Sequence, residues 1–149
     1  MTEPTAHLVG INHIALEVDD LDAAIDFFRR LFTFELRGRH GDSMAFLDAG
    51  DQFIALSTPR QQPPDDDRHF GLVVDDQQAV RDVLDANGVE ILPGRGLNFR
   101  DPSGNRIEIV EYADIQMIKT DAALRAVGVT DGTKTPKAQA ELREKGLGG

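Results

Sequence analysis

Three residues of this 149-residue chain are of the types that could share a metal ion: His13, His69 and Glu108. His13 opens the stretch "HIALEVDDLDAAIDFF" and His69 opens "HFGLVVDDQQAVRDVL". Both stretches begin with period-two alternation, so successive side chains face opposite sides of a strand. Ile14, Leu16 and Val18 then share one face, with His13, Ala15 and Glu17 on the other. Likewise Phe70, Leu72 and Val74 oppose His69, Gly71 and Val73. In "GNRIEIVEY" Ile107 and Ile109 bracket Glu108, which turns that carboxylate away from the apolar core. A carboxylate on a partly enclosed face needs a partner, because uncompensated burial is expensive. Two imidazoles and a carboxylate around a divalent cation supply one, and leave positions open to water, substrate or oxygen. Taken alone, these residues also fit a hydrogen-bonded or exposed strand-start histidine and a solvent-facing glutamate. His7, near the chain start, and His40, in a Gly-flanked turn, carry no role.

The elements that must position these residues come from an internal repeat. An offset of 56 residues pairs His13 with His69, Asp19 with Asp75 and Asp20 with Asp76, with eight identities over 24 gapless positions. Shared leucines and valines are ordinary for two amphipathic segments; a shared His and a shared Asp-Asp point to duplication of one unit. After each strand the period becomes helical. Leu21, Ala24, Ile25, Phe28 and Leu31 form one stripe, capped by Asp19 or Asp20. Val80, Val83 and Leu84 form the second, shorter stripe, which Gly88 ends. Three short strands should follow each helix, over 34–37, 44–48 and 52–57 and then 89–92, 97–100 and 106–110. The expected fold is therefore α+β, with βαβββ modules at 8–57 and 69–112. The linker 58–68, "TPRQQPPDDDR", reads as a solvated connection without chemistry. The helices cover the Ile14 face, so the histidines face an open trough, where residues starting equivalent strands should approach each other.

Composition narrows the function classes. The net charge of −10 argues against nucleic acid and anionic membranes. There is no cysteine, which removes disulfides, thiolate metal sites and thiol catalysis. Neither a signal-peptide pattern nor a membrane-length apolar run is present, so the expected location is cytoplasmic. Residues 114–149 form a helical tail in which "TDAALRAVG" and "TPKAQAELREKG" each read as a capped helix. Thr135 caps the second, with Glu141 and Lys145 at i,i+4 spacing. Its thin apolar side (Ala138, Leu142) leaves the last dozen residues open between a docked helix and a disordered end.

The stretches "INHIALEVDDLDAAIDFF", "HFGLVVDD" and "FRDPSGNRIEIVE" resemble the vicinal oxygen chelate superfamily, which includes glyoxalase I, extradiol dioxygenases, fosfomycin-modifying enzymes and bleomycin-resistance proteins. The resemblance spans residues 8 to 113, with the Asp-Pro-x-Gly-Asn-x-Ile-Glu segment its most specific part. It implies paired βαβββ modules in an incomplete barrel, a homodimer, and one divalent transition metal (Fe, Mn, Ni, Co or Zn) held by His13, His69 and Glu108. Glu108 is then both ligand and candidate catalytic carboxylate, and a small substrate binds through two neighbouring oxygens.

Departures from the family pattern divide its branches. Ala55 stands where glyoxalase I and another member of the superfamily, methylmalonyl-CoA epimerase, resemble each other in carrying a fourth ligand, and alanine cannot bind a metal. Ala15 and Asn98 stand where fosfomycin enzymes carry threonine and tyrosine. No further His or Tyr lies in a trough strand, as an extradiol enzyme would use. The trough-facing candidates for the substrate pocket are Glu17, Phe53, Ala55, Asn98, Arg100 and Arg106, with Glu17 and Arg106 also able to form a structural ion pair. The competing class is a metal-free protein that sequesters a drug or other small molecule, as bleomycin-resistance proteins do. The absence of Trp predicts a poor stacking surface for that role.

Overall fold

The computed structural model describes residue 3 and residues 5–148. Each half starts by the same local chemistry. Strand β1 (His13–Glu17) runs into Asp20, which is extended and accepts the Ala23 N–H at 2.9 Å to start helix α1 (Leu21–Leu31). Strand β5 (Phe70–Val74) runs into Asp76, which accepts the Ala79 N–H at 3.0 Å to start α2 (Gln77–Ala86). Each cap satisfies a first-turn amide that has no partner within the helix, a contribution of about 1 kcal/mol.

In the first half, β2 (Leu36–His40), β3 (Met44–Asp48) and β4 (Phe53–Ser57) form an antiparallel meander, and β1 joins β4 in parallel. The resulting order is β1-β4-β3-β2. The second half repeats the scheme with β6 (Leu97–Arg100) and β7 (Arg106–Glu111), in the order β5-β7-β6. Here β5 and β7 are parallel and β6 and β7 antiparallel. The strand expected over 89–92 is reduced to one bridge between Ile91 and Phe99, with the Leu92 N–H donating to the Asn98 carbonyl at 2.8 Å. Pro93 follows at once and has no N–H to continue the ladder. The strand expected over 34–37 begins two residues later and reaches His40, with a register shift between Leu36 and Gly38. The architecture is mixed α+β: paired βαβββ modules with two small sheets and no closed barrel.

One core serves both halves. Leu16, Val18, Leu47 and Leu56 from the first sheet join Leu97, Ile107 and Ile109 from the second around α1 and α2. Phe28 and Phe99 are fully buried, and Phe27 of α1 meets Phe99 of β6 with ring centroids 6.0 Å apart. The packing of α1 on the second sheet therefore fixes how the modules lie relative to each other.

Beyond β7 come a 3-10 turn (Tyr112–Asp114), α3 (Asp121–Ala126) and α4 (Pro136–Glu144), the two α-helices capped by Thr120 and Thr135. Over its described residues the tail packs back on the end of β7. Leu124, Ala138 and Leu142 are buried, and the Thr135 N–H donates to the Ala113 carbonyl at 2.9 Å. The Lys134 ammonium sits 3.3 Å from the Tyr112 ring centroid and donates to the Tyr112 and Ile115 carbonyls. Lys119 reaches back to Asp51, beside the start of β4. Glu141 accepts from Gln116 at 2.9 Å. No helix among the described residues is long and apolar enough to cross a membrane.

Candidate metal centre

Ladder register sets the surroundings of Glu108. It lies opposite Gly71 of β5 and Asn98 of β6, so one flank carries no side chain and the other an amide. His69 stands immediately before β5, with Nε2 3.4 Å from Glu108 Oε2. The other ring nitrogen, Nδ1, is 2.7 Å from the Asp67 carbonyl oxygen. A carbonyl can only accept, so Nδ1 carries a hydrogen, and Nε2 is the nitrogen turned toward the carboxylate. Two donors each about 2.1 Å from an ion, subtending roughly 90–110°, stand about 3.0–3.4 Å apart. The spacing of the His69–Glu108 pair and the orientation of the imidazole fit adjacent ligands of one ion. The His69 and Glu108 side chains keep 43% and 30% of their exposure, so an ion can reach them.

The sequence reading missed Gly96. It has φ +73°, and a Cβ at that position would meet Glu108 Oε1 at 2.8 Å. The only signal for it is the pair of glycines in "PGRG", between the strand expected over 89–92 and that over 97–100.

His13 belongs to the other sheet. Its Nδ1 is 2.8 Å from Asn12 Oδ1, leaving Nε2 as the free nitrogen. Its ring stacks on Phe53 with centroids 4.8 Å apart and planes 10° from parallel. Phe46 meets Phe53 edge-on at 6.0 Å, and His40 meets Phe46 edge-on at 6.1 Å. These four rings form a continuous aromatic strip. Beside it lies a cleft of about 390 Å³ bordered by Phe46, Phe53, Arg37, Asp48 and Gln52. The expectation of a poor stacking surface is thus corrected: phenylalanine and histidine supply it without tryptophan. Ala55, 8% exposed, pairs with Ala15 and Phe46 in the ladders and offers no metal donor.

His13 does not join His69 and Glu108 within one chain. Among the described residues, no three His, Asp or Glu side chains are grouped to hold an ion. The modules are joined at the other end of β1 from His13. Asn105, just before β7, donates Nδ2 to the Glu17 carbonyl at 3.0 Å, and His69 shares a cleft of about 400 Å³ with Ala15 and Glu17. The end of β1 is therefore tied to the second module at the turn before β7. His13 lies four residues back along β1, roughly 13 Å at about 3.3 Å per residue. The expectation that equivalent strand starts approach each other is not met in the single chain.

The remaining pocket candidates turn out to be structurally occupied. Glu17 Oε2 accepts the Gln61 N–H at 3.2 Å, and the ion pair with Arg106 is not formed. Asn98 is 4% exposed, donates to the Arg95 carbonyl at 3.0 Å and accepts from Arg106 Nε at 3.3 Å. Arg106 also donates to the Asp66 carbonyl at 2.6 Å, and Arg100 donates to the Asp65 carbonyl at 2.7 Å.

Those last bonds anchor a linker that is otherwise largely exposed, as a solvated connection would be; Asp65 is its one buried residue, with a side chain 9% exposed. Burial pushes its carboxyl upward, but hydrogen bonds from Arg68 and the Arg106 N–H, with the charges of Arg68 and Arg60, outweigh it. The net position lies below the ordinary 3.8. The "DPSGN" turn is also structural. Asp101 accepts the Ser103 and Asn105 N–H groups at 3.0 and 2.8 Å, while burial holds its carboxyl above 3.8. Gly104, with φ +95°, lets Pro64 of the linker approach where a Cβ would stand 2.8 Å from Pro64 Cα.

Comparison with known proteins bears on this geometry. Residues 10–109 match the model of the Glyoxalase/Bleomycin resistance protein/Dioxygenase superfamily. The chain is 29% identical to the metallothiol transferase FosB of Staphylococcus epidermidis, over 68% of this chain and 81% of that protein. It is 30% identical to the glutathione transferase FosA of Serratia marcescens, over 68% and 80%. In fold it is similar to a mutant of the fosfomycin resistance protein FosX from Listeria monocytogenes, complexed with Mn(II) and 1S,2S-dihydroxypropylphosphonic acid. That likeness has a TM-score of 0.60 at 22% identity, covering 69% of this chain and 92% of that one. With two thirds of its length matched and the paired modules in place, the chain belongs to the Glyoxalase/Bleomycin resistance protein/Dioxygenase superfamily.

Proposed function

We propose that this protein is a divalent-metal-dependent enzyme of the transferase or isomerase type, acting on a small oxygen-rich molecule in the cytoplasm. Its working form is a homodimer in which His13 of one copy completes the His69–Glu108 pair of the other. The observation that carries the reading is that pair: two donors 3.4 Å apart, with Nδ1 of the imidazole already committed to a carbonyl. His13 has the same committed Nδ1 and lacks a partner pair in its own chain. A second copy related by a two-fold axis would supply one. The unit concerned is residues 8–113, with 114–149 as an appended tail.

Fe, Mn, Ni, Co and Zn all suit two imidazoles and a carboxylate. The ion, when bound, acts as a Lewis acid toward two neighbouring substrate oxygens and stabilises negative charge developing on them. The residues of the chain do the rest. Phe53 and Phe46 offer an apolar wall beside His13, and Asn98 and Arg106 a polar border beside Glu108. The Asn98 amide already bonds through both Nδ2 and Oδ1 and is 4% exposed, so it is a weaker phosphonate contact than an exposed hydroxyl. Together with Ala15, that supports a substrate other than the one handled by the fosfomycin-resistance relatives.

The aromatic strip favours a second reading, metal-free sequestration of a flat molecule. Titration of metal-free protein with Mn(II), followed by electron paramagnetic resonance, separates the two. The enzyme reading expects one ion per chain, and affinity at least ~10-fold weaker in His13→Ala and Glu108→Gln. If all three bind equally, or none binds, sequestration takes its place.

A further inference from the structure

The linker 58–68 is held far more tightly than a connection between modules requires. Every polar group of Asp65 is engaged. Its Oδ1 accepts from Arg68 Nη2 at 2.8 Å and Nε at 3.2 Å, and its Oδ2 accepts the Arg106 N–H at 3.3 Å. Its own N–H donates to the Gly104 carbonyl at 2.8 Å, and its carbonyl accepts from Arg100 Nε at 2.7 Å. The next carbonyl, of Asp66, accepts from Arg106 Nη1 at 2.6 Å. The one after that, of Asp67, is the partner of His69 Nδ1. Three successive carbonyls thus point at three successive tasks: two are fixed by arginines rooted in β6 and β7, and the third orients the imidazole. Because β7 also carries Glu108, both members of the pair are referenced to the same strand.

A fourth arginine closes the frame. The Arg60 side chain, 3% exposed, donates to the Pro63 carbonyl at 2.7 Å, to the Glu17 carbonyl at 3.4 Å and to Asn105 Oδ1, and lies 3.5 Å from Asp65. The end of β1 is thereby tied to the same hub.

We propose that the linker is a positioning device for the metal pair and that Asp65 is its positioning residue, acting through the Asp67 carbonyl on the tautomer and orientation of His69. The proposal rests on the metal reading for its purpose, but its structural content can be tested without any metal. An imidazole whose Nδ1 loses its acceptor is free to place its hydrogen on Nε2, and such an imidazole cannot present a lone pair to an ion.

The experiment uses ¹⁵N-labelled, metal-free, full-length protein. Long-range ¹H–¹⁵N spectra at pH 8 report which nitrogen of His69 carries the hydrogen. Wild type is expected to show Nδ1–H alone. Asp65→Asn should show a mixture of tautomers and bind Mn(II) about tenfold more weakly, the usual effect of removing an outer-shell partner. Arg68→Gln provides a variant that will fold, because Arg68 is 68% exposed. It should move both readouts in the same direction by a few-fold. Gln78→Ala, which breaks an exposed hydrogen bond to Asp82 on α2, should move neither. A merely structural role for Asp65 would lower the melting temperature and leave the tautomer unchanged; that result, or wild-type spectra in folded Arg68→Gln, overturns the proposal. If the tautomer shifts in the variants but wild type binds no Mn(II), the positioning stands and the metal reading falls.

Discussion

At the scale of single residues, the centre depends on a contact that involves no polar partner. Gly96 occupies the left-handed region at φ +73°, directly against the Glu108 carboxylate. Gly96→Ala meets two penalties at once: a backbone conformation that L side chains rarely adopt, and a Cβ 2.8 Å from Oε1. The expected loss of stability is about 1–2 kcal/mol. Because the flexible carboxylate is what yields, Mn(II) affinity should fall as well. Urea denaturation and metal titration measure the two effects separately, and unchanged affinity in a destabilised variant would show that Glu108 does not depend on this contact. Asp65 makes a different kind of prediction. Its folded carboxyl lies below the ordinary 3.8, so its contribution is complete above pH 3.8 and is lost as pH falls through the folded value. Asp51, lowered by its bond to Lys119, acts in the same direction, and buried Asp101, held above 3.8, acts in the opposite one. Asp65→Asn should therefore be less stable than wild type near pH 6, with a shallower decline below pH 3.8. Denaturation midpoints from pH 6 down to pH 2.5 test this; parallel curves would remove Asp65 from the acid limb.

At the scale of elements, the repeated strand-to-helix switch rests on two equivalent caps. Asp20→Ala and Asp76→Ala should each cost about 1 kcal/mol, and the double variant about the sum, since the caps sit on separate helices. Urea midpoints for the three variants would expose any coupling between the modules as a departure from additivity. The caps also explain why so much of the fold was legible in the sequence. A change of period from two to 3.6, with an aspartate at the join, is local information, and β1, α1, β5 and α2 all appear where it places them. Glu108 was legible for the same reason, because Ile107 and Ile109 flank it on one strand. Where the outcome depends on distant partners, sequence reading went astray. The segment 89–92 has a strand-like composition, but Pro93 ends its ladder after one bridge. "PPDDD" has the composition of a solvated loop, yet arginines from positions 60, 68, 100 and 106 converge on it, and nothing in its own residues announces them. Phe53 was legible as trough-facing, but nothing marked Phe46, which pairing of β3 with β4 brings into line with Phe53, His13 and His40.

At the scale of the whole molecule, the decisive feature is that the second module is tied to the end of β1, whereas His13 lies at its start. That tie, made by Phe27 on Phe99 and by Asn105 on the Glu17 carbonyl, is one a repeat in sequence does not reveal. It leaves the donors His13 and His69–Glu108 on one chain but apart, a condition that a two-fold dimer would resolve twice over. The consequence can be tested by mixing subunits. In a heterodimer of His13→Ala with His69→Ala, one site lacks both histidines and the other has all three donors. Neither homodimer contains a complete site. After unfolding and co-refolding in equal amounts, half the dimers should be mixed, and tight Mn(II) capacity should return to about one quarter of wild type per chain. Each variant refolded alone should show none. A site built within one chain predicts no recovery on mixing, because every chain then carries one broken ligand set. Wild-type protein that light scattering finds monomeric at micromolar concentration, while still binding one tight ion, would exclude the shared site by an independent route.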